Sequence, residues 1–263
     1  MSYLTIEDFS MFYNVSGEGK PVLLIHGLGS DHRGWEFQEN DLKSHFQLVI
    51  PDLRGHGQSR GGITDFVPAR RFAEDLDTLL SHLHVDKAHV VGESMGGIIA
   101  LEFVLDFPER IDRLVLIGTT PKVTEETADV VYGWREAQLA GGNEAFFWAS
   151  LRSGFSSQWI KKNPEIVEHL RQKAQGMNAD GVVVAGLGLA TTDVTDRLPE
   201  INVPTLVVHG DSDRIINIEM GRVMNRGIRN SRLKVLKGSG HSPTVERAKE
   251  LNQLLITFLK SRN

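Results

Sequence analysis

Apolar residues along this chain follow two rhythms. PVLLIHG (21–27), FQLVIPD (46–52), KAHVVGE (87–93), RLVLIGT (113–119), TLVVHGD (205–211) and RLKVLKG (232–238) are short, mostly apolar runs, as expected of strands buried on both faces. Between them, apolar residues recur three and four apart. In RRFAEDLDTLLSHL (70–83), Phe72, Leu76, Leu79, Leu80 and Leu83 share one helical face. MGGIIALEFVLDF (95–107), stopped by Pro108, reads as a helix, as do EMGRVMNRGI (219–228) and VERAKELNQLLITFL (245–259). YLTIEDFSMFYNV at the start reads as an edge hairpin. Strands alternating with helices predict an α/β fold with a mostly parallel sheet covered on both faces.

The alternation lapses between residues 120 and 198. WREAQLAGGNEAFFWASLRS, PEIVEHLRQKAQGM and DGVVVAGLGLA read as helix and loop, the last because its glycines disfavour a strand. LPEINVP (198–204) is a turn signal that returns the chain to the sheet. The expected organisation is a core of 1–119 and 199–263 with an inserted helical cap, 120–198.

Composition adds mainly exclusions. The net charge is -5, with Lys and Arg scattered and no basic tract, so no nucleic-acid surface is expected. No apolar run reaches the ~18 residues of a membrane span. The start lacks a basic leader region and carries Glu7 and Asp8. A soluble, cytoplasmic protein is the expectation, and nothing sets its oligomeric state. The absence of cysteine excludes disulfides, thiolate nucleophiles and thiolate metal ligands.

The chemistry centres on HVVGESMGGIIALEF (89–103), where an apolar strand turns directly into a helix. A non-glycine residue at such an apex is strained by about 1–3 kcal/mol. Retaining Ser94 there, between Gly92 and Gly96, matches the G-x-S-x-G nucleophile elbow, which lifts the Oγ clear of the backbone. A serine hydroxyl needs a base to take its proton, and histidine suits neutral pH. Of ten histidines, His241 lies in KGSGHSPTVE, between the last strand and the last helix, at the edge where the elbow also opens. The histidine needs an acceptor, and HGDSDR (209–214) offers Asp211 and Asp213. Asp213 lies farther into the loop and can reach back, whereas Asp211 suits a turn; the competing loop GTTPK has no carboxylate. An oxyanion formed on attack calls for fixed N–H donors. The Met95 amide, at a helix start, and the Leu28 amide, in IHGLGSD (25–31), are the candidates.

Taken together, HGLG (26–29), PDLRGHGQS (51–59), GESMGG (92–97), FPERIDRLVLIG (107–118), INVPTLVVHGDSDRI (201–215) and GSGH (238–241) resemble the α/β-hydrolase family over nearly the whole chain. That resemblance implies a mostly parallel eight-stranded sheet, a Ser-Asp-His triad of Ser94, Asp213 and His241, an oxyanion hole at Leu28 and Met95, no metal and no cofactor. It implies a structural role for PDLRGHGQS. Within the family, WREAQLAGG, WASLRSGF, the NPEIVEHL helix and MGRVMNRGI look nearest to the 3-oxoadipate enol-lactonase-like and bacterial carboxylesterase-like group. The implied reaction is hydrolysis of a small-molecule ester or lactone through an acyl-enzyme. The alternatives are a carbon–carbon bond hydrolase of ring-cleavage products, a perhydrolase- or haloperoxidase-like side activity, and a slow-turnover ligand receptor of the same fold. An enol-lactonase should hold a substrate carboxylate, for which Arg33, Arg135 and Arg152 are candidates. Trp134, Trp148 and Trp159 are expected either to line an acyl pocket or to form a small core of the cap.

Overall fold

A computed structural model describes residues 2–62 and 66–261. Its strands are β1 (Ser2–Ile6), β2 (Phe9–Ser16), β3 (Pro21–Ile25), β4 (Gln47–Pro51), β5 (Arg60–Gly61), β6 (Ala88–Glu93), β7 (Ile111–Ile117), β8 (Thr205–Gly210) and β9 (Ser231–Leu236). Among the described residues they form one sheet in the order β1-β2-β4-β3-β6-β7-β8-β9, with the two-residue β5 pairing β2. β1 and β2 are the expected hairpin, and β2 also runs antiparallel to β4. From β4 to β9 every neighbouring pair is parallel.

The apolar runs are long because both faces of the sheet are covered. Along β3, Leu23 and Ile25 join the core on one face while Val22 and Leu24 join the core on the other. In β7, Leu114 and Leu116 divide from Val115 and Ile117 in the same way. Each such side chain contributes about 1.5–3 kcal/mol through burial. The first face carries α2 (Ala69–His82), α3 (Met95–Asp106) and α8 (Ile218–Gly227) through residues such as Phe72, Ile99 and Met224. The second carries α1 (Glu36–Leu42) and α10 (Ala248–Lys260) through Leu42, Leu251, Leu255 and Phe258.

The expected closing helix 245–259 is broken in two. α9 (Pro243–Glu246) precedes α10, and Arg247 between them has φ −131 and ψ 33. The break turns Glu246 inward, where its carboxylate accepts from the amides of Gly240 and Ser156. α1 has no strong periodic signal in the sequence.

Between β7 and β8 come α4 (Glu125–Gly154), α5 (Ser157–Lys162), α6 (Pro164–Ala174) and α7 (Ala179–Leu189). Non-helical angles at Gly141 and Gly142 break α4. α7 is helical through its glycines because it packs at backbone distance. A Cβ on Gly181 would lie 2.3 Å from the Gly55 carbonyl, and one on Gly188 1.8 Å from the Val67 carbonyl. Among the described residues no helix is long and apolar enough to cross a membrane.

Candidate active site

The loops that leave the C-terminal ends of β3, β6, β8 and β9 meet at one edge of the sheet. Ser94 follows β6 directly, with φ 53 and ψ −118, the strained geometry expected of the apex. Its amide donates to the Ile117 carbonyl at 2.9 Å, and its own carbonyl accepts from Thr119 Oγ1 at 2.7 Å. The elbow leaves no room for a side chain at either glycine. A Cβ on Gly92 would sit 2.3 Å from the Gly96 carbonyl, and one on Gly96 2.2 Å from the Ile25 carbonyl.

Ser94 Oγ lies 2.8 Å from His241 Nε2, and His241 Nδ1 lies 2.9 Å from Asp213 Oδ2. Asp213 Oδ1 accepts from the amides of Ile215 and Ile216, both at 2.9 Å. Burial acts to raise the Asp213 carboxyl, but the charge of His241 and the hydrogen bonds from His209 and His241 outweigh it. The carboxyl is held well below the usual range. With Asp213 ionised, Nδ1 carries a proton and donates, which leaves Nε2 to accept from the serine hydroxyl. Burial acts to lower His241, but the charge and hydrogen bond of Asp213 prevail, helped by Glu93 and Glu246, so the imidazole sits above 6.5. Such an arrangement can take a proton from a hydroxyl and hold the imidazolium that results.

Met95 is the first residue of α3, where a helix amide has no acceptor within the helix. The Leu28 amide lies in the loop after β3. Among the described residues no backbone carbonyl accepts from either amide. Gly27 brings that loop close, since a Cβ there would be 3.3 Å from Ser94 Cβ.

Sequence reasoning missed several groups. His209 is fully buried, donates from Nε2 to the Ile216 carbonyl at 2.8 Å and lies 3.4 Å from Asp213 Oδ2. Its only sequence signal is a histidine on the strand that feeds Asp213. Glu93, the residue before the nucleophile candidate, accepts from the Thr244 hydroxyl and is pushed up to about 7 by burial. Thr244 and His241 pull it the other way. A carboxyl within the elbow motif was the visible sign.

PDLRGHGQS is held by its own contacts. Asp52 accepts from the His32 amide and ring and from the Gln58 amide, and Arg54 is paired with buried Asp75 on α2. Asp31, His32 and Asp52 offer atoms close enough to hold an ion. The Asp31 and Asp52 oxygens are already occupied by Arg33, His32 and Gln58.

Among the described residues, two cavities open on Ser94. The larger, about 220 Å³, is lined largely by apolar side chains such as Phe37, Leu151 and Leu170 but also by Arg33, Glu36, Glu93, Lys173, Thr244 and His241, which make it the more polar of the two. The smaller, about 100 Å³, is walled by apolar side chains such as Ile98, Val131, Val182, Leu189 and Ile215. Leu28, Ser94, Trp134 and Phe146 border both. Of the three tryptophans, only Trp134 lines a cavity. Trp148 and Trp159 do not belong to the pocket. They pack behind it with Phe147, Leu151 and Val167 in the apolar core of the helices between β7 and β8, of which Phe147 and Leu151 reach the larger cavity. Of the arginines, Arg33 lines the polar cavity but is bound to Asp31, and exposed Arg135 lies on the wall of the apolar one. Arg152 is exposed and lines neither.

A sequence-family profile described as alpha/beta hydrolase fold matches residues 20–248. The chain belongs to that family and is a hydrolase. It is 29% identical over 248 residues to 3-oxoadipate enol-lactonase 1 of Acinetobacter baylyi, covering 93% of this chain and 90% of that one. It is 28% identical over 277 residues to a 2-hydroxy-6-oxo-6-phenylhexa-2,4-dienoate hydrolase of Comamonas testosteroni, covering 98% and 93%. Among solved structures, a thermophilic esterase of Thermogutta terrifontis, with malate bound, superposes with a TM-score of 0.90. The identity is 29%, over 99% of this chain and 98% of the esterase.

Proposed function

We propose that the protein hydrolyses carboxylic esters or lactones of small molecules through an acyl-enzyme on Ser94. The observation that carries this reading is the hydrogen-bonded series Ser94–His241–Asp213, set on an edge that opens on both cavities. His241 Nε2 takes the Ser94 proton as Oγ bonds to the carbonyl carbon. The Leu28 and Met95 amides hold the resulting oxyanion. His241 then passes its proton to the leaving alcohol oxygen as the C–O bond breaks. Water enters, gives a proton to His241, attacks the acyl carbon and releases the acid and Ser94. Esterase and enol-lactonase relatives support this choice among hydrolytic activities.

The two cavities divide the substrate between them. The alcohol oxygen must reach His241 for its proton, and His241 lines only the polar cavity. That cavity is the alcohol chamber, and the apolar one takes the acyl chain. Residues 120–198 act as the cap, with Trp134 forming part of the wall between the chambers.

A panel of p-nitrophenyl esters and lactones with the wild type and Ser94→Ala tests this reading. The variant should fold and lose at least about 10⁴-fold in ester turnover. A fluorophosphonate should label Ser94 in the wild type alone. Retained turnover in Ser94→Ala removes the assignment. The dienoate hydrolase relative supplies the second reading, carbon–carbon bond cleavage. A vinylogous diketone turned over faster than every ester would replace the first reading with it.

A further inference from the structure

We propose that Glu93 is a specificity-determining carboxyl, which makes the polar chamber accept alcohol groups that are neutral or cationic and reject those bearing a carboxylate. This inference rests on the ester-hydrolase reading and names the substrate class of that same site.

The argument is one of pairing. Two cations line the chamber, and each already faces a carboxylate of the same chain. Arg33 donates to both oxygens of Asp31, and Lys173 Nζ lies 2.9 Å from Glu36 Oε1. Each charge is therefore already offset by a carboxylate before a substrate anion arrives. Glu93 is half-buried at the end of β6, lines the same chamber and faces no Lys or Arg among the described residues; the one ring it faces, His241, is neutral when it acts as base. Its one hydrogen bond there is from the Thr244 hydroxyl, a neutral donor. Glu93 shares this cavity with Ser94 and His241 and is close enough to His241 to interact with its charge, so an alcohol group held at His241 lies in the field of the carboxyl. A substrate anion would meet an uncompensated like charge in a desolvated space, and a cation would supply the missing partner.

Asp213, Asp31 and Glu36 stay ionised while Glu93 and His241 titrate. His241 and Asp213 face it from the loops after β9 and β8. Asp31, on the loop after β3, is pulled down to about 2, with burial opposing and Arg33 prevailing. Glu36 on α1 is also lowered, with burial opposing and His169 and Lys173 prevailing. Arg33, raised further by its hydrogen bonds to Asp31, stays charged throughout. The His241 titration is common to all substrates and cancels in a ratio of rates.

The test uses three butyrate esters of similar size, followed by pH-stat titration. Their alcohols are 2-(trimethylammonio)ethyl, 3,3-dimethylbutyl, and the analogue in which one methyl of the latter is a carboxylate. At about pH 8, where Glu93 is mostly ionised, the wild type should prefer the cationic to the anionic ester in kcat/KM by on the order of tenfold. In Glu93→Gln that ratio should fall by at least about fivefold. In the wild type it should also fall as the pH is lowered to about 6, and in the variant it should stay flat. Should the variant fail to fold, the wild-type pH dependence decides by itself. A ratio that Glu93→Gln leaves unchanged, one that is flat with pH in the wild type, or a wild-type preference for the carboxylate would overturn the proposal. Turnover of all three esters without charge preference sinks this inference alone. Turnover of none sinks the ester reading and this inference with it.

Discussion

The amide of His241 donates to the carbonyl of Gly154 at 2.6 Å, so the last residue of α4 holds the loop that carries the imidazole. Gly240, one residue earlier, donates to Glu246 Oε1 at 2.7 Å. The position of the base candidate is thus shared between α4 and the short helix after β9.

That anchoring gives a prediction at Gly240. A Cβ there would lie 2.4 Å from the Gly154 carbonyl and 2.8 Å from Glu246 Oε1, so Gly240→Ala must push the loop away from α4. Esterase kcat should fall by about 10–100-fold, since small displacements of a catalytic group cost that much. Gly133→Ala, whose Cβ would meet nothing within 4 Å, should leave kcat within about twofold. Steady-state kinetics on both variants, with circular dichroism to confirm folding, checks the pair.

The acid limb of the rate profile reports His241. A base must be unprotonated, so kcat/KM should fall as pH drops through its pKa. The environment raises that pKa, which places the limb above 6.5. Asp213→Asn removes the strongest raising influence, so the limb should move to lower pH, with a loss in kcat of about 10³–10⁴-fold. A limb that stays in place in the variant would detach the titration from this pair.

Glu93 also predicts a stability change. Its carboxyl titrates at about 7 in the folded chain against an ordinary 4.5. Between these values the folded state binds more protons than the unfolded one, so stability falls as pH rises through the window. Glu93→Gln removes that loss. The variant should be more stable than the wild type by about 1–3 kcal/mol at about pH 8, with the difference fading below 4.5. Urea denaturation across that range checks both sign and window.

The apolar chamber can be shortened at Gly186 on α7. A Cβ there would lie 3.5 Å from Leu28 Cδ2 and 3.7 Å from Val131 Cγ1, on the chamber wall. Gly186→Leu places three further carbons in a space of about 100 Å³. The preferred acyl length should shorten, with kcat/KM for octanoate esters falling at least about tenfold relative to acetate. A p-nitrophenyl ester series measures the shift; an unchanged chain-length profile would assign the acyl group to the other cavity.

Much of the frame was legible because its signals are local. The strands from 21 to 27 and from 205 to 211 show as apolar runs, and the helix from 70 to 83 as a face of Phe72, Leu76, Leu79 and Leu80. The break at Arg247 was not legible, since the apolar spacing continues through it. The break goes with hydrogen bonds from two distant amides, Gly240 and Ser156, to Glu246, which no local pattern shows. Trp148 and Trp159 were ambiguous for a similar reason. An aromatic residue on a helix looks the same in sequence whether it faces a cavity or the helix beside it.

The chain by itself determined the order of elements, the strained serine turn, and the loops that carry Asp213 and His241, because periodicity and glycine spacing act over a few residues. Only the tertiary structure decided which charges are already paired, which tryptophan borders the cavity, and that Glu93 lines the polar chamber beside His241 with no Lys or Arg against it. Those outcomes depend on contacts between segments as far apart as Glu93 and Thr244, or Lys173 and Glu36. Packing of the whole sheet and its helices brings such pairs together, and no local pattern records it.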